Sequence, residues 1–273
     1  MAVSVPDIRG WPEDAPPITA ITAYDRPTAL SADRAGVEIV LVGDSAAQVI
    51  HGREHTTEVG MAEILFHLRA VRPHVQEALL LADLPFGPAQ VGDPQAAEAA
   101  VALVAAGAQG VKVEGGERSL GIVERLTAHG VAVMGHLGLT PQSVHTLGGY
   151  KVRGRDPEGA EAILGDALAL EKAGAFAIVL ECVPAPLATL ATERLSIPTI
   201  GIGSGGGCRG QILVFHDAVG WEGGTFRFLP RPFGEVGKAV DDALARYCQD
   251  VREGKYPGEG MSWDLPPGIL EDL

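Results

Sequence analysis

The sequence predicts an α/β fold, a (β/α)8 TIM-type barrel, and three observations support this prediction. Short apolar runs alternate with longer helix-like segments from one end of the chain to the other. The apolar runs are nearly continuous, which is typical of parallel strands that are covered on both faces. Eight such runs occur, which is the number of strands in this type of barrel. A doubly wound open sheet is the alternative that the same alternation leaves open.

The strand candidates are short and rich in aliphatic residues. They lie at 18–22, 38–42, 78–82, 110–113, 131–134, 176–180, 197–202 and 211–215. Between them, two helix candidates have clear starting points. The segment 94–107 follows Asp93, and the segment 157–174 follows Asp156. An aspartate directly before the first helical residue is a preferred N-cap, so we expect both residues to cap their helices.

We expect a single domain over residues 1–273, with a short N-terminal lead at 1–16 and a C-terminal tail at 256–273. No internal repeat and no low-complexity tract divides the sequence. The connections after the second and the fifth strand candidates, residues 44–60 and 135–156, are long, polar and rich in glycine and histidine. In a barrel, both connections would lie on the catalytic face.

The composition is acidic, with 21 Lys and Arg residues against 35 Asp and Glu residues and a formal net charge of −14. This charge disfavours nucleic acids and anionic membrane surfaces as partners. The densest basic run, residues 151–155, is short and is followed by acids, so we interpret it as a solvated loop. The three cysteines form no paired motif, the N-terminus does not resemble a signal peptide, and no apolar run is long enough to span a membrane. We therefore expect a cytoplasmic protein.

Titratable side chains mark the ends of five consecutive strand candidates. They are Asp44, Asp83, Glu114, His136 and Glu181. In a (β/α)8 barrel the carboxyl ends of all strands surround one mouth, where active sites are built. We therefore expect these five side chains to meet there. A helix N-cap or a loop position would explain any one of them, but that explanation does not account for the whole set.

The fourth strand candidate carries two charges on one face. Side chains alternate along a strand, so Lys112 and Glu114 point to the barrel interior while the neighbouring valines point to the helices. Unpaired charge in an interior is costly, so these groups need partners. We predict that Asp44, Asp83 and Glu114 bind one Mg²⁺ per subunit, because Mg²⁺ prefers a few carboxylate oxygens together with substrate oxygens. Lys112 would hold an anionic group of a substrate, and Glu181, with no obvious partner, would act as a base.

Several ordered motifs carry a resemblance to a known family, and it extends from about residue 16 to residue 260. They include ITAYD (21–25), VGDS (42–45), LLLADLPF (79–86), VKVEGG (111–116), GHLGLTPQSV (135–144) and GGYKVRGR (148–155). Together they resemble the 3-methyl-2-oxobutanoate hydroxymethyltransferase family, also called ketopantoate hydroxymethyltransferases. That family is related to the phosphoenolpyruvate mutase and isocitrate lyase enzymes, which implies the same barrel.

The resemblance also implies an activity and an assembly. Members of this family transfer a hydroxymethyl group from 5,10-methylenetetrahydrofolate to 3-methyl-2-oxobutanoate, which gives 2-dehydropantoate for pantothenate biosynthesis. They assemble as homo-oligomers, typically decamers. The resemblance implies roles for seven positions in this sequence. The metal-binding positions are Asp44, Asp83 and Glu114, the substrate-binding positions are Ser45, Lys112 and His136, and the general base is Glu181.

The sequence departs from the family pattern in two loops. Within residues 46–56, Glu54 and His55 replace the usual Asp-Ser pair, and Arg209 replaces an aspartate after the GIGSG motif. Both changes are expected to lie in loops on the catalytic face. They leave open a paralogue with the same metal-dependent chemistry on a different 2-oxo acid. A non-catalytic scaffold or binding protein of the same fold is a further alternative, which the complete set of charged positions disfavours.

Overall fold

The structure of the protein is a computed structural model, and it describes residues 2–222, 232–267 and 269–270. Within these residues, eight parallel strands follow one another in chain order around a closed barrel. The strands are β1 (Ile18–Thr22), β2 (Ile39–Val42), β3 (Leu79–Asp83), β4 (Gly110–Glu114), β5 (Val133–Gly138), β6 (Ala177–Glu181), β7 (Thr199–Ile202) and β8 (Gly210–Leu213). Strand β8 pairs with β1 in parallel, with Ile18 opposite Gly210. This closure confirms the (β/α)8 barrel and rules out the open sheet.

Helices connect most of the strands. They are α1 (Val5–Arg9), α2 (Arg26–Ala35), α3 (Ala46–Val49), α4 (Met61–Val71), α5 (Pro88–Val91), α6 (Asp93–Ala105), α7 (Leu120–Ala128), α8 (Val144–Leu147), α9 (Pro157–Lys172), α10 (Ala185–Arg194), α11 (Phe215–Val219) and α12 (Val236–Arg252). Short 3-10 turns lie at Thr56–Glu58, Arg72–His74, Glu117–Ser119 and Pro141–Ser143. None of the described helices is both long and apolar enough to cross a membrane.

One of the two predicted N-caps is confirmed and the other is wrong. The Asp156 side chain accepts a hydrogen bond from the Gly159 backbone at 2.8 Å, so it caps α9 as expected. Asp93 is instead the first residue of α6, and Gly92 holds the N-cap position without a side-chain hydrogen bond. The short helix α5 ends directly before Gly92, which leaves no extended residue at Asp93 to serve as a cap.

Two strand boundaries also differ from the prediction. Strand β5 runs from Val133 to Gly138, so His136 lies inside the strand instead of following it. After the last strand, Phe215 begins α11 and is not part of β8. The remaining strand predictions match the structure to within two residues.

The core has two layers that follow from strand alternation. One layer lies between the strands and the helices and contains Val111 and Val113 of β4. The other layer fills the barrel interior and contains Ile18, Ile39 and Leu79, the first residues of β1, β2 and β3. Ile8 of α1 is fully buried within this second layer, so α1 covers the amino-terminal end of the barrel. The site residues are therefore left to the opposite, carboxyl end.

The chain divides into two compact units. The described part of the first unit, residues 2–215, contains the barrel. The described part of the second unit comprises residues 216–222, 232–267 and 269–270, and it contains α12 with no buried residue. The extent of the domain, residues 1–273 with the tail at 256–273, stays a prediction.

Candidate active site

The carboxyl ends of β2 to β6 bring the five predicted side chains into one cluster. The strand register places Asp83 beside Lys112, and it places Glu114 beside His136. Glu181 ends β6 opposite Gly138 of β5. The cluster is buried, and only the Glu181 side chain keeps a substantial exposed fraction, 17%. A buried cluster with one partly exposed carboxylate at its edge is suited to binding a small polar substrate.

Lys112 lies at the centre of the cluster. Its Nζ atom is 3.0 Å from Asp83 Oδ1 and 3.8 Å from Glu114 Oε1. Burial acts to lower the pKa of Lys112, but the charges of Asp83, Glu114 and Asp44 outweigh burial, so its pKa is raised. Lys112 is therefore charged near neutral pH, and it is the partner that the buried carboxylates on the inner face of the barrel need.

His136 joins two of the carboxylates. Its Nδ1 atom is 3.3 Å from Glu114 Oε1, and its Nε2 atom is 3.1 Å from Glu181 Oε2. The same Nδ1 atom lies 3.1 Å from Lys112 Nζ, a contact in which a neutral ring would accept a hydrogen bond. Burial and the Lys112 ammonium act to lower the pKa of His136, but two carboxylates outweigh one ammonium and raise it to about 9. Glu181 therefore has a partner, contrary to the expectation from the sequence.

Asp44 and Asp83 are held side by side. The backbone N–H of Asp44 donates a hydrogen bond to Asp83 Oδ2 at 2.9 Å. Burial, followed by the charges of Asp83 and Glu114, raises the pKa of Asp44 well above its usual range. Three acids and one lysine thus leave the cluster short of positive charge.

Gln142 contacts two of these acids, although it is not among the predicted site residues. Its Nε2 atom donates to Asp44 Oδ2 at 2.9 Å, and its backbone N–H donates to Glu114 Oε2 at 3.1 Å. Gln142 is buried in the 3-10 turn that follows β5. The only signal in the sequence was its place in the GHLGLTPQSV motif, which does not by itself indicate a contact with Asp44.

Ser45 contacts Tyr24, which is also absent from the predicted site residues. Its hydroxyl makes no capping hydrogen bond to α3, although Ser45 holds the N-cap position. The Ser45 Oγ atom instead lies 2.7 Å from the hydroxyl of Tyr24, a fully buried side chain. Tyr24 follows β1, so this contact joins the ends of β1 and β2 at the mouth.

The divergent loop 46–56 lies at the same end of the barrel. The Gln48 side-chain amide donates to the Tyr150 hydroxyl at 3.4 Å, which connects this loop to the connection after β5. Burial, followed by the charges of Glu181 and Asp44, raises the pKa of Tyr150. The Tyr150 hydroxyl therefore lies close enough to the cluster to interact with its charges. The change in loop 46–56 therefore lies at the mouth, as expected.

Arg209 lies at the opposite end of the barrel, which corrects the expectation that it would lie on the catalytic face. Its guanidinium donates to the backbone oxygens of Glu13, at 2.8 Å, and Pro12. The segment between β7 and β8 contains no helix, and Arg209 directly precedes the first residue of β8. It therefore has already returned to the amino-terminal end, away from the charged cluster.

The predicted metal ligands fit a hard cation in their chemistry. Apart from their ionic contacts, Asp83 Oδ1 and Glu114 Oε1 are buried and accept no hydrogen bond from the described residues. A divalent cation would also relieve the repulsion that raises the pKa of Asp44. No group of three His, Cys, Asp or Glu side chains among the described residues is already gathered as a metal site. The assignment of Mg²⁺ to these acids stays a prediction.

Solved structures show the same barrel. The crystal structure of phosphonopyruvate hydrolase in complex with oxalate and Mg²⁺ matches 98% of this chain and 94% of its own, with a TM-score of 0.61 and 16% identity. The crystal structure of 2,3-dimethylmalate lyase, a member of the PEP mutase/isocitrate lyase superfamily, matches 100% and 94%, with a TM-score of 0.59 and 17% identity. At these identities the likeness shows the fold.

Sequence relatives show the family. The sequence model for ketopantoate hydroxymethyltransferase matches residues 2–259. The 3-methyl-2-oxobutanoate hydroxymethyltransferase of Carboxydothermus hydrogenoformans is 45% identical over 272 residues, which cover 99% of both chains. The enzyme of the same name from Thermus thermophilus is 49% identical over 243 residues, which cover 89% of this chain and 93% of the relative. The chain therefore belongs to the ketopantoate hydroxymethyltransferase family, a family of transferase enzymes.

Proposed function

We propose that the protein transfers a hydroxymethyl group from 5,10-methylenetetrahydrofolate to 3-methyl-2-oxobutanoate, with Mg²⁺ as cofactor, and so forms 2-dehydropantoate for pantothenate biosynthesis. One observation carries this proposal beyond family membership. The contacts from Asp83 through Lys112, Glu114 and His136 to Glu181 form one continuous buried network at the barrel mouth. This network contains a fixed cation for an anionic substrate and a carboxylate at its exposed edge.

The substrate would lie against Lys112 and Ser45. A 2-oxo acid carries a carboxylate, and Lys112 is charged near neutral pH and lies close to two acids that hold it in place. The Ser45 hydroxyl can donate a hydrogen bond to a substrate oxygen, and Tyr24 fixes its direction. These two contacts would orient the acid with its C3 carbon toward β6.

Glu181 would remove the proton from C3. It is the carboxylate of the network with the largest exposed fraction, and a charged His136 at 3.1 Å holds one of its oxygens. The other oxygen is then available to take a proton from carbon, as a general base does. The C3 carbon would then attack the methylene carbon of the folate, whose two C–N bonds break as water supplies the hydroxyl group and tetrahydrofolate leaves.

Asp44 and Asp83, with Glu114 nearby, would hold the Mg²⁺. When bound, a divalent cation supplies Lewis-acid stabilisation of the negative charge that develops on a 2-oxo group. The protein would keep these acids in place through the Asp44 backbone N–H and the Gln142 side chain. We further propose a homo-oligomer, a decamer, which the resemblance to the family supports. We also propose a cytoplasmic location, which the three unpaired cysteines support.

A second candidate keeps the same chemistry with a different 2-oxo acid. The altered loop 46–56 favours it, because Gln48 of this loop reaches Tyr150 at the mouth. Arg209 no longer supports this candidate, because it lies at the other end of the barrel.

Proton exchange tests the proposal directly. The purified protein is incubated with Mg²⁺ and 3-methyl-2-oxobutanoate in D₂O without folate, and loss of the C3 proton is followed by NMR. We expect exchange that Glu181→Gln slows by about 100-fold or more, because a positioned base typically contributes at least that factor. The exposed Glu161 on α9 provides the matched control, and Glu161→Gln should exchange at the wild-type rate.

Two results would contradict the leading assignment. Exchange with another 2-oxo acid, but not with this one, would favour the second candidate. Exchange that persists in Glu181→Gln would remove Glu181 as the base. Formation of 2-dehydropantoate on addition of 5,10-methylenetetrahydrofolate, followed by mass spectrometry, tests the one-carbon donor separately.

A further inference from the structure

We infer that Gln142 is a positioning residue for the metal-binding carboxylates, and that it fixes which oxygens of Asp44 and Glu114 face the cation. This inference rests on the proposed Mg²⁺ site. It adds a residue that belongs to none of the predicted ligand, substrate or base positions.

The orientation of the Gln142 amide is determined by its partners. Its Nε2 atom lies 2.9 Å from Asp44 Oδ2 and 2.9 Å from the backbone oxygen of Leu84. Both partners accept hydrogen bonds, so the NH₂ group must face them and both of its protons are used. The side chain is buried, which makes these two hydrogen bonds difficult to replace with water.

These contacts leave one oxygen of Asp44 for another ligand. The Gln142 amide occupies Oδ2 of Asp44, and the Asp44 backbone N–H binds Asp83 Oδ2. Asp44 is thereby held next to Asp83 with a fixed carboxylate plane. Without the amide, the buried Asp44 carboxylate could rotate away from Asp83, because like charges repel.

The backbone N–H of Gln142 fixes the orientation of the Glu114 carboxylate. The Gln142 N–H donates to Glu114 Oε2 at 3.1 Å, while Glu114 Oε1 faces His136 Nδ1 at 3.3 Å and Lys112 Nζ at 3.8 Å. Gln142 thus connects the acid after β2 with the acid at the end of β4, and through Leu84 it also contacts the segment after β3. A single residue from the connection after β5 therefore sets the spacing of the acids.

The side chain at this position must donate two hydrogen bonds. A glutamate in place of Gln142 would face two acceptors at 2.9 Å with a carboxylate of its own. A methionine would have similar length but could not donate. Either change keeps the backbone N–H to Glu114, so the substitution separates the side-chain contribution from the backbone contribution.

Metal affinity tests the inference without relying on catalysis. Mn²⁺ is titrated alone into the full-length wild-type protein and into Gln142→Met, and free Mn²⁺ is measured by electron paramagnetic resonance. We expect the dissociation constant to rise by about 10- to 100-fold in Gln142→Met, the usual cost of removing a hydrogen-bond partner from a metal-binding side chain. Gln109→Met is the matched control. The Gln109 side chain accepts a single hydrogen bond, from the Leu80 backbone, before the start of β4, so its loss should leave the affinity unchanged.

Each outcome decides a separate question. Equal Mn²⁺ affinity in Gln142→Met and wild type would overturn the role of Gln142 and leave the proposed site intact. No Mn²⁺ binding by the wild-type protein would overturn the metal site, and this inference with it. Gln142→Asn, which keeps the amide but shortens the side chain, should lose affinity as well, and it provides the test if Gln142→Met does not fold by circular dichroism.

Discussion

Removal of the Lys112 ammonium should destabilise the barrel strongly. Lys112→Met keeps the length of the side chain, but it leaves Asp83 without its nearest cation and Glu114 with only His136 as a cationic neighbour. The two distances, 3.0 and 3.8 Å, correspond to attractions of about 5 and 4 kcal/mol at an effective dielectric constant of about 20. Desolvation of the ammonium offsets part of this, and loss of one partner from a buried pair typically costs about 3–5 kcal/mol. We expect a loss of that size in the metal-free protein near neutral pH.

The loss of stability in Lys112→Met should grow as the pH rises. Without Lys112 the folded state favours protonation of the clustered acids. Burial, followed by the charges of Asp83 and Glu114, raises the pKa of Asp44 even with Lys112 present. The folded variant then binds more protons than its unfolded chain, so its stability relative to wild type falls as pH rises above about 4. Wild-type Lys112, with a raised pKa, contributes its full stability below its ordinary pKa of 10.5 and loses it only at higher pH.

Thermal unfolding followed by circular dichroism in a chelating buffer measures this deficit. For a chain of this size, 1 kcal/mol corresponds to roughly 2–4 °C, so we expect a decrease of roughly 10 °C near pH 7 and a smaller decrease near pH 5. Lys172→Met, at the exposed end of α9, is the matched control and should change the melting temperature by only about 1 °C. A decrease below roughly 2 °C, or one that does not shrink at lower pH, would refute the electrostatic role of Lys112.

Three further predictions follow from single contacts. Asp156→Ala removes the cap of α9 and should cost about 1 kcal/mol in thermal unfolding, whereas Asp156→Asn keeps an acceptor and should cost much less. Tyr24→Phe removes the hydroxyl 2.7 Å from Ser45 and should raise KM for the 2-oxo acid by roughly 5- to 10-fold in initial-rate assays, and an unchanged KM would contradict this. His136 has a pKa raised from 6.5 to about 9, so it contributes stability that is complete below about pH 6.5 and is lost as pH rises through about 9. Melting temperatures of metal-free wild type should show this loss, and His136→Gln should not.

The barrel and its charged interior could be predicted from local patterns. Near-continuous aliphatic runs indicated the parallel strands, and alternation along β4 placed Lys112 and Glu114 on the inner face. The same criterion misplaced β5, because the apolar run ends at Met134. Strand β5 continues through Gly135 and His136, since β4 and β6 supply ladder partners on both sides. Pairing with neighbours, not side-chain type, decides that boundary.

The contacts that organise the site could not be predicted in this way. Gln142 and Asp44 are 98 positions apart, and Tyr24 and Ser45 are 21 apart. Each pair meets only because the barrel brings the ends of different strands together. Arg209 was misplaced because its position was predicted from the motif that precedes it. Its end of the barrel is determined instead by its place directly before β8.

Charge balance connects the metal, the substrate and the base. The network contains four carboxylates, which are Asp44, Asp83, Glu114 and Glu181. Lys112 and a charged His136 supply two positive charges, so full ionisation leaves an excess of two negative charges. The raised pKa of Asp44 is how the unliganded protein reduces that excess. A divalent cation would instead let Asp44 ionise, and an anionic 2-oxo acid would then restore a single negative charge. The transfer of a proton from C3 to Glu181 would leave this total charge unchanged, because the proton comes from the bound acid itself, and His136 would stay charged to hold the carboxyl in place.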